Sequence, residues 1–207
     1  MATEVDICNL ALAHIGDAAL ITSISPSDGS AQADACARFY DVSVNLLLDM
    51  HDWGFATKYV ALTEITTDER TEWDYAYEIP GDFMRPIRVL APDTIDDYQA
   101  QPATPIDYTI EQDENEDLVL YTDQEDAVLR YVAYVSNTGL FTPTFQMALS
   151  WHLASLLAGV IIKGDEGAKQ ASRCLQMSMS YLAKAKENDS HTRVIKPPHY
   201  PNWMTGR

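Results

Sequence analysis

The spacing of apolar residues along the chain changes from helical to strand-like and back again. Apolar positions recur at helical spacing after Thr3 and again after Ser30. Thr3 with Asp6 fits a capping box, and Ser30 fits a helix N-cap. The pattern therefore predicts one helix over about residues 4–15 and a second that ends at about residue 51.

Strand-like alternation replaces the helical pattern from Lys58 to Val135. Short runs rich in β-branched and aromatic residues are separated by turn signals such as PGDF and DENED. The run WDYAYEI alternates regularly and predicts a half-buried antiparallel strand. The residues expected to share its apolar face are Trp73, Tyr75, Tyr77 and Ile79.

Helical spacing returns near residue 142. Thr142 fits an N-cap and Pro143 the first helical position, while Gly164 is a natural helix stop. Asp165 is then expected to cap a last helix that runs to about Glu187. The residues predicted to form the inner face of this last helix are Ala168, Ala171, Leu175, Met179 and Leu182.

Helix pairs at both ends with strands between them predict an α+β protein. The expected architecture is an antiparallel four-helix bundle built from the two chain ends, with an inserted antiparallel all-β unit and an extended C-terminal tail. The predicted segments are the two bundle halves 1–57 and 139–188, the β unit 58–138 and the tail 189–207.

Charge is distributed unevenly along this acidic chain of net charge −17. Residues 1–162 carry 6 Lys and Arg against 27 Asp and Glu, whereas residues 163–207 carry 8 against 4. Because nucleic-acid binding depends on clustered Lys and Arg, the composition excludes tight DNA binding. The basic C-terminal part is expected to attract an acidic partner.

Cysteine usage and hydropathy predict a protein of a reducing compartment. Cys8, Cys36 and Cys174 are odd in number, widely spaced and without a CxxC pair, which favours a cytoplasmic setting. The N-terminus has no basic n-region of a signal peptide, and the longest apolar stretch, LASLLAGVII, is about half a membrane span. We therefore expect no membrane partner.

Motifs that carry chemistry are largely missing from the sequence. No phosphate-binding loop, zinc spacing or nucleophile elbow occurs, so no catalytic residue, cofactor or metal ligand is predicted. His14 and His152 lie on predicted helices and are expected to be structural. The acidic run EQDENED, residues 111–117, is interpreted as a solvated hairpin turn, with calcium binding as the alternative.

The C-terminal sequence VIKPPHYPNWMTGR, residues 194–207, combines prolines with aromatic and cationic side chains. Its three prolines prevent an interior helix or a central strand. Its aromatic content exceeds that of a tail that only solubilises a protein. Docking on a partner is predicted, with a frayed tail as the alternative.

Several segments, in order along the chain, resemble the tail tubular protein A, or head-to-tail adaptor, family of short-tailed bacteriophages. These segments are ICNLALAHIGD, HDWGFA, WDYAYEIPGDFMRPIRVL and LYTDQEDAVLRYVAYVSNTGLFTPTFQMALSWHLASLLA. The resemblance runs from Ile7 to about Lys186. It implies a virion protein, assembled in the host cytoplasm, that forms a ring, usually of twelve copies, between the portal protein and the tail nozzle. Packaged double-stranded DNA would cross the central channel without specific binding.

The resemblance also implies candidate contact residues. Adaptors of this family send a C-terminal extension along the portal. The turn signal at Pro80 and Gly81 separately predicts that Phe83 and Met84 either pack between the β unit and the bundle or contact a neighbouring subunit or the nozzle. The residues expected to bind the portal are Arg193, Val194, Ile195, Lys196, Pro197, Pro198, Tyr200, Trp203, Met204 and Arg207.

Two other functions compete with the structural adaptor. One is a tail-associated glycan hydrolase that uses two of the many carboxylates as acid and base. The other is a monomeric binding module. A groove with a carboxylate pair of split pKa values would favour the hydrolase, and a chain that stays monomeric with portal present would favour the module.

Overall fold

The computed structural model describes residues 2–66, 72–92 and 106–192. These residues form two compact units, which are described separately below. One unit consists of the chain up to Ala56 together with Tyr134–Thr192, and the other consists of the described part of Thr57–Ala133. The first is helical and the second contains two antiparallel sheets, so the predicted class, α+β, is confirmed.

The described residues of the helical unit form four α-helices and one short 3-10 helix, and those of the β unit form seven strands. The helices are α1 (Glu4–His14), α2 (Ala31–Asp49), α3 (Pro143–Ile161) and α4 (Asp165–Ser190), with the 3-10 turn at Thr138–Leu140 before α3. The strands are β1 (Thr57–Ala61), β2 (Thr63–Glu64), β3 (Tyr75–Glu78), β4 (Phe83–Leu90), β5 (Tyr108–Gln112), β6 (Leu118–Thr122) and β7 (Val128–Ala133).

Three of the predicted helix starts are confirmed. Thr3 and Asp6 form a full capping box at α1, because each side chain binds the backbone N–H of the other residue. Ser30 and Thr142 accept the N3 backbone N–H of α2 and α3. Asp165 is not the cap of α4: Gly164 holds that position at a φ of 77°, a conformation open to glycine, and gives no side-chain hydrogen bond.

The predicted antiparallel four-helix bundle with an inserted all-β unit is wrong. α3 is the central helix of its unit: α4, α1 and α2 all pack on it, whereas α1 and α2 pack less extensively on each other. The physical reason is that α3 buries side chains on nearly every side, including Phe145, Leu149 and Leu157, instead of presenting one stripe to a shared bundle core. Among the described helices α3 alone is long and apolar enough to span a membrane, and about half of its apolar span is buried within its unit.

The inner face of α4 also differs from the sequence prediction. Its buried positions are occupied mainly by small or polar residues, while Leu175 and Met179 are 40% and 45% exposed. Ser178 Oγ donates to the Ala148 carbonyl oxygen of α3 at 2.9 Å. The buried residues of α4 are Gly167, Cys174, Ser178, Leu182, Ala185 and Asp189. Small residues let α4 lie close to α3, and this close packing turns the large apolar side chains outward.

The described strands of the β unit form a three-stranded sheet of order β1-β7-β4 and a four-stranded sheet of order β2-β3-β6-β5. All neighbouring strands are antiparallel. Residues of both sheets pack into one core around Tyr77, Leu120, Leu129 and Tyr131. The Tyr77 hydroxyl donates to the Gln124 carbonyl oxygen at 2.8 Å, so its polar end is satisfied inside this core.

The predicted face of the WDYAYEI strand is partly wrong. Tyr75, Tyr77 and Ile79 pack on the main core as expected. Trp73 precedes β3, which begins at Tyr75, and packs with Tyr121 in a second, smaller cluster. The two-residue alternation applies only within the strand, so it does not determine where a side chain outside the strand packs.

The acidic run 111–117 forms a hairpin turn between β5 and β6, as predicted. Asp113 Oδ1 accepts the backbone N–H groups of Asn115 at 2.8 Å and Asp117 at 2.9 Å. The Asp113 N–H donates to the Asp117 carbonyl oxygen at 2.9 Å and closes the turn. These hydrogen bonds lower the pKa of Asp113, with the bond from the Asp117 backbone as the largest cause.

Candidate functional site

The predicted portal-binding residues, 193–207, lie outside the described residues. The nearest described part of the chain is the C-terminal end of α4 with His191 and Thr192. This end of α4 lies against the loop that follows α2, residues 50–56, and we call the contact between them the α4 clasp. It holds the end of the described chain in the helical unit.

Asp189 is the centre of the α4 clasp. Its carboxylate accepts the Gly54 backbone N–H at 3.0 and 3.2 Å and lies 3.1 Å from His51 Nε2. The residue is 7% exposed. A buried carboxylate is stable only when its oxygens are paired, and here the α2 loop supplies both partners.

Thr192 completes the α4 clasp on the tail side. Its hydroxyl and its backbone N–H both donate to the Asp189 carbonyl oxygen, at 2.7 and 2.9 Å. A Cβ atom at Gly54 would lie 3.2 Å from Thr192 Oγ1 and 3.3 Å from Asp189 Oδ1, so the loop and the helix end approach closely. The last described residue is thus held by the helical unit.

The loop of the α4 clasp is the HDWGFA segment, residues 51–56, one of the segments that resemble the adaptor family. Trp53 is fully buried and its Nε1 donates to the Leu47 carbonyl oxygen at 2.8 Å. Its ring meets Phe145 edge-on at 5.0 Å between centroids and stacks on Phe55 at 5.7 Å. This aromatic cluster joins the loop to α3 and holds Gly54 in place for Asp189.

Asp189→Ala is expected to lower the free energy of unfolding by about 1–3 kcal/mol, because it leaves the Gly54 N–H without its acceptor. Denaturant unfolding followed by circular dichroism measures the change. Glu187→Ala is the control, since Glu187 is exposed on the same helix turn and its loss is expected to change stability by less than about 0.5 kcal/mol. Equal stability losses in the two variants would contradict the role of Asp189.

Phe83 and Met84, the other predicted contact residues, lie at the start of β4 and are half-buried. Phe83 packs on the core of the β unit, with its ring 5.8 Å from that of Tyr131. Its backbone N–H donates to the Pro80 carbonyl oxygen at 2.9 Å and closes the turn before β4. Contact with a neighbouring subunit or the nozzle stays a prediction for both residues.

Asp82 lies in the turn before β4, as the sequence pattern predicts, and it also links three strand regions. Its carboxylate accepts the Tyr131 hydroxyl at 2.9 Å and is paired with Lys58 Nζ. Burial acts to raise the pKa of Asp82, but the hydrogen bonds from Lys58 and Tyr131 outweigh it and lower that pKa. Burial and the nearby Asp82 raise the pKa of Tyr131 to about 12. The group is a structural link that holds the turn carrying Phe83.

The two helix histidines are packed in the helical unit. His14 stacks on Trp151 at 3.6 Å between ring centroids, and its Nε2 lies 3.1 Å from Ser150 Oγ. Burial lowers the pKa of both His14 and His152. Within residues 2–66, 72–92 and 106–192, no group of three or more His, Cys, Asp or Glu side chains could hold a metal ion.

Sequence reasoning missed the α4 clasp. The sequence predicted the end of the last helix at about Glu187, and His51 was one of several scattered histidines without a partner. His51 and Asp189 are separated by 138 residues, so no local pattern joins them. The one available signal was the HDWGFA segment, which the family resemblance had already marked.

No family model matches this sequence, and no curated protein matches it either.

Proposed function

We propose that this chain is a structural head-to-tail adaptor of a short-tailed bacteriophage virion. Copies of it form a ring of about twelve subunits between the portal protein and the tail nozzle. Double-stranded DNA passes through the ring without being bound specifically. The protein acts by its surfaces and its assembly, and it performs no catalysis.

The observation that carries the proposal is the charge distribution over the two units. The described residues of the helical unit contain twelve acidic side chains against six basic ones. The described residues of the β unit contain fourteen acidic side chains against four basic ones. A surface with so few Lys and Arg cannot exchange counterions for phosphates, so a duplex would pass it without being retained.

The segments that resemble the adaptor family support the proposal because they form the connecting parts of the structure. HDWGFA is the loop of the α4 clasp, and YAYEIPGDFMR runs from β3 through the turn into β4. The longest segment runs from β6 through β7 into the central helix α3. These segments therefore form strands, turns and helix contacts that hold the fold together. Such structural roles are expected in a non-enzymatic protein.

The basic tail is assigned to portal attachment. It contains Arg193, Lys196 and Arg207 and no acidic residue, in contrast to the rest of the chain. Tyr200 and Trp203 are of the types that dominate interface energies. The α4 clasp holds the chain immediately before this segment, so each copy in a ring would present its tail from the same place.

The hydrolase alternative lacks a specific observation in its favour. A general acid of a glycosidase needs a carboxyl group whose pKa is raised. The carboxyl groups whose pKa values are displaced in the described ranges are Asp6, Asp28, Asp82 and Asp113, and all four are lowered. These pKa directions favour the adaptor over the hydrolase.

Mixing the purified chain with portal rings of the phage that encodes it is expected to give a defined complex whose yield depends on salt. Subunits of net charge −17 repel one another, so the ring should form on the portal more readily than in solution. Size-exclusion chromatography with light scattering measures the mass of the chain alone, of the portal alone and of the mixture.

The control is the same mixture with an unrelated acidic protein of similar size in place of this chain. A chain that stays monomeric with portal present would contradict the adaptor and favour the binding module. A stable ring of the isolated chain at low salt would contradict the dependence on a portal template.

A further inference from the structure

Two buried cysteines meet where α1 packs on α2. Cys8 of α1 and Cys36 of α2 are free thiols, and both are 0% exposed. A hydrogen bond joins their thiol groups. Because each residue lies in the middle of a packed helix, the two sulfur atoms are held next to each other within a single chain.

The surroundings of the pair make the two thiols chemically different. The hydrogen bond with Cys36, burial and the nearby charge of Glu4 all raise the pKa of Cys8. The hydrogen bond from Cys8 lowers the pKa of Cys36, although burial opposes it. Cys36 is therefore the thiol that loses its proton more readily, and Cys8 is the donor beside it. A disulfide forms from such a pair, in which one sulfur ionises next to a second thiol.

The third cysteine of the chain, Cys174, provides an internal comparison. It is also buried, but its Sγ lies 3.8 Å from the side-chain nitrogen of Gln170, and burial raises its pKa. Metal binding does not account for the Cys8 and Cys36 pair, because no group of three or more suitable ligands occurs among the described residues. The arrangement of the pair points to redox chemistry instead.

A covalent bond between these sulfurs would act at a weakly packed contact. α1 and α2 each pack extensively on α3 but less extensively on each other. A bond from Cys8 to Cys36 would close the loop of residues 9–35, which connects the two helices. Closing this loop restricts the unfolded chain and therefore stabilises the folded helical unit.

We infer that Cys8 and Cys36 form a redox-sensitive lock between α1 and α2, open as two thiols in a reducing compartment and closed as a disulfide in an oxidising one. We call this pair the α1–α2 lock. The inference rests on the proposed function only for its setting, since a virion leaves the reducing host cytoplasm for an oxidising medium. The lock would then close after assembly and stabilise the protein outside the cell.

The oxidant that closes the α1–α2 lock is a small peroxide, which reaches the buried pair when the helices open locally. The Cys36 thiolate attacks one oxygen of hydrogen peroxide, the O–O bond breaks, hydroxide leaves and Cys36 becomes a sulfenic acid. The Cys8 sulfur then attacks the Cys36 sulfur, and the Cys8 proton and the sulfenic hydroxyl leave as water. Overall, two thiols and one peroxide give one disulfide and two water molecules.

Oxidation of the isolated full-length chain with hydrogen peroxide tests the α1–α2 lock. Arg38 is the first Lys or Arg in the sequence, so trypsin leaves Cys8 and Cys36 in one peptide. After denaturation and alkylation, mass spectrometry should find this peptide without alkyl groups and two hydrogen atoms lighter, while Cys174 is alkylated. The oxidised chain should melt about 5–10 °C higher than the reduced chain, and a reductant should reverse both changes.

Matched variants separate the α1–α2 lock from other effects of peroxide. Cys174→Ser removes the third buried thiol and should keep both the disulfide and the rise in melting temperature. Cys36→Ser, treated in the same way, should show neither, although its methionines are oxidised equally. The parent chain should give at least about tenfold more Cys8–Cys36 disulfide than any disulfide with Cys174, because neighbouring thiols have a high effective concentration. This yield is measured in the parent chain and does not depend on the folding of a variant.

Three alkylated cysteines in the peroxide-treated parent chain, disulfides formed mainly between copies, or a disulfide that does not raise the melting temperature would each overturn the inference. Repeating the oxidation with portal rings separates it from the proposed function. Portal binding by a chain that forms no Cys8–Cys36 disulfide would refute the α1–α2 lock alone. A disulfide that stabilises a chain unable to bind portal would support the lock and refute the adaptor.

Discussion

Removing residues 193–207 is expected to abolish stable attachment to the portal while the rest of the chain stays folded. The cut falls directly after Thr192, so the hydrogen bonds of Thr192 to the Asp189 carbonyl oxygen and the α4 clasp are preserved. The free energy of unfolding should therefore change by less than about 0.5 kcal/mol. Denaturant unfolding measures the stability, and sedimentation with portal rings measures the attachment.

Single substitutions in the tail show how much each side chain contributes to portal binding. Trp203→Ala and Tyr200→Ala are each expected to lower the free energy of portal binding by about 2 kcal/mol, or about 30-fold in affinity, if the aromatic side chain enters a pocket of the portal. Lys196→Ala should cost less and chiefly change the salt dependence, as a charge at the rim of an interface does. A truncated chain that binds portal and restores infectious particles as well as the full chain would refute the docking role.

Trp53→Ala is expected to lower the free energy of unfolding of the helical unit by about 3–5 kcal/mol, the largest stability effect of a single substitution predicted here. The Trp53 side chain is fully buried, and its removal would leave a cavity beside Phe55 and Phe145. The Leu47 carbonyl oxygen would also lose the hydrogen bond from Trp53 Nε1. The α4 clasp should weaken as well, because Gly54 follows Trp53 directly.

Trp73→Ala provides the matched control for Trp53→Ala. Trp73 is half-buried in the smaller cluster of the β unit, so the same change of residue removes less packing. Thermal unfolding of both variants followed by near-ultraviolet circular dichroism allows the comparison. Trp73→Ala losing as much stability as Trp53→Ala would contradict the central position of Trp53.

Two hydrogen-bonded contacts fix the position of α4 in the helical unit. Asp189 fixes the end of α4 against the α2 loop, and Ser178 fixes its middle against α3. The described C-terminal end of α4 is therefore held in the helical unit up to Thr192.

The features that the sequence alone determined are local ones. The capping box of Thr3 and Asp6 and the caps at Ser30 and Thr142 depend on residues a few positions apart, so they are readable without tertiary structure. The hairpin turn at 113–117 is local for the same reason, since Asp113 binds backbone groups two and four residues away. The α+β class also follows, because the two periodicities are long and well separated.

Only the tertiary structure decided which surfaces of these elements meet. Sequence periodicity favoured Leu175 and Met179 as core residues of α4. In the structure the small residues of α4 pack closely on α3, so a different side of α4 is buried. The pairing of Asp189 with His51 and Gly54 joins residues more than one hundred positions apart, and the central place of α3 depends on contacts with α1 and α2, which come from the N-terminal part of the chain. Hydrophobicity ranks single positions, whereas the fit of two surfaces depends on the shapes of both, so these contacts could not be read from either segment alone.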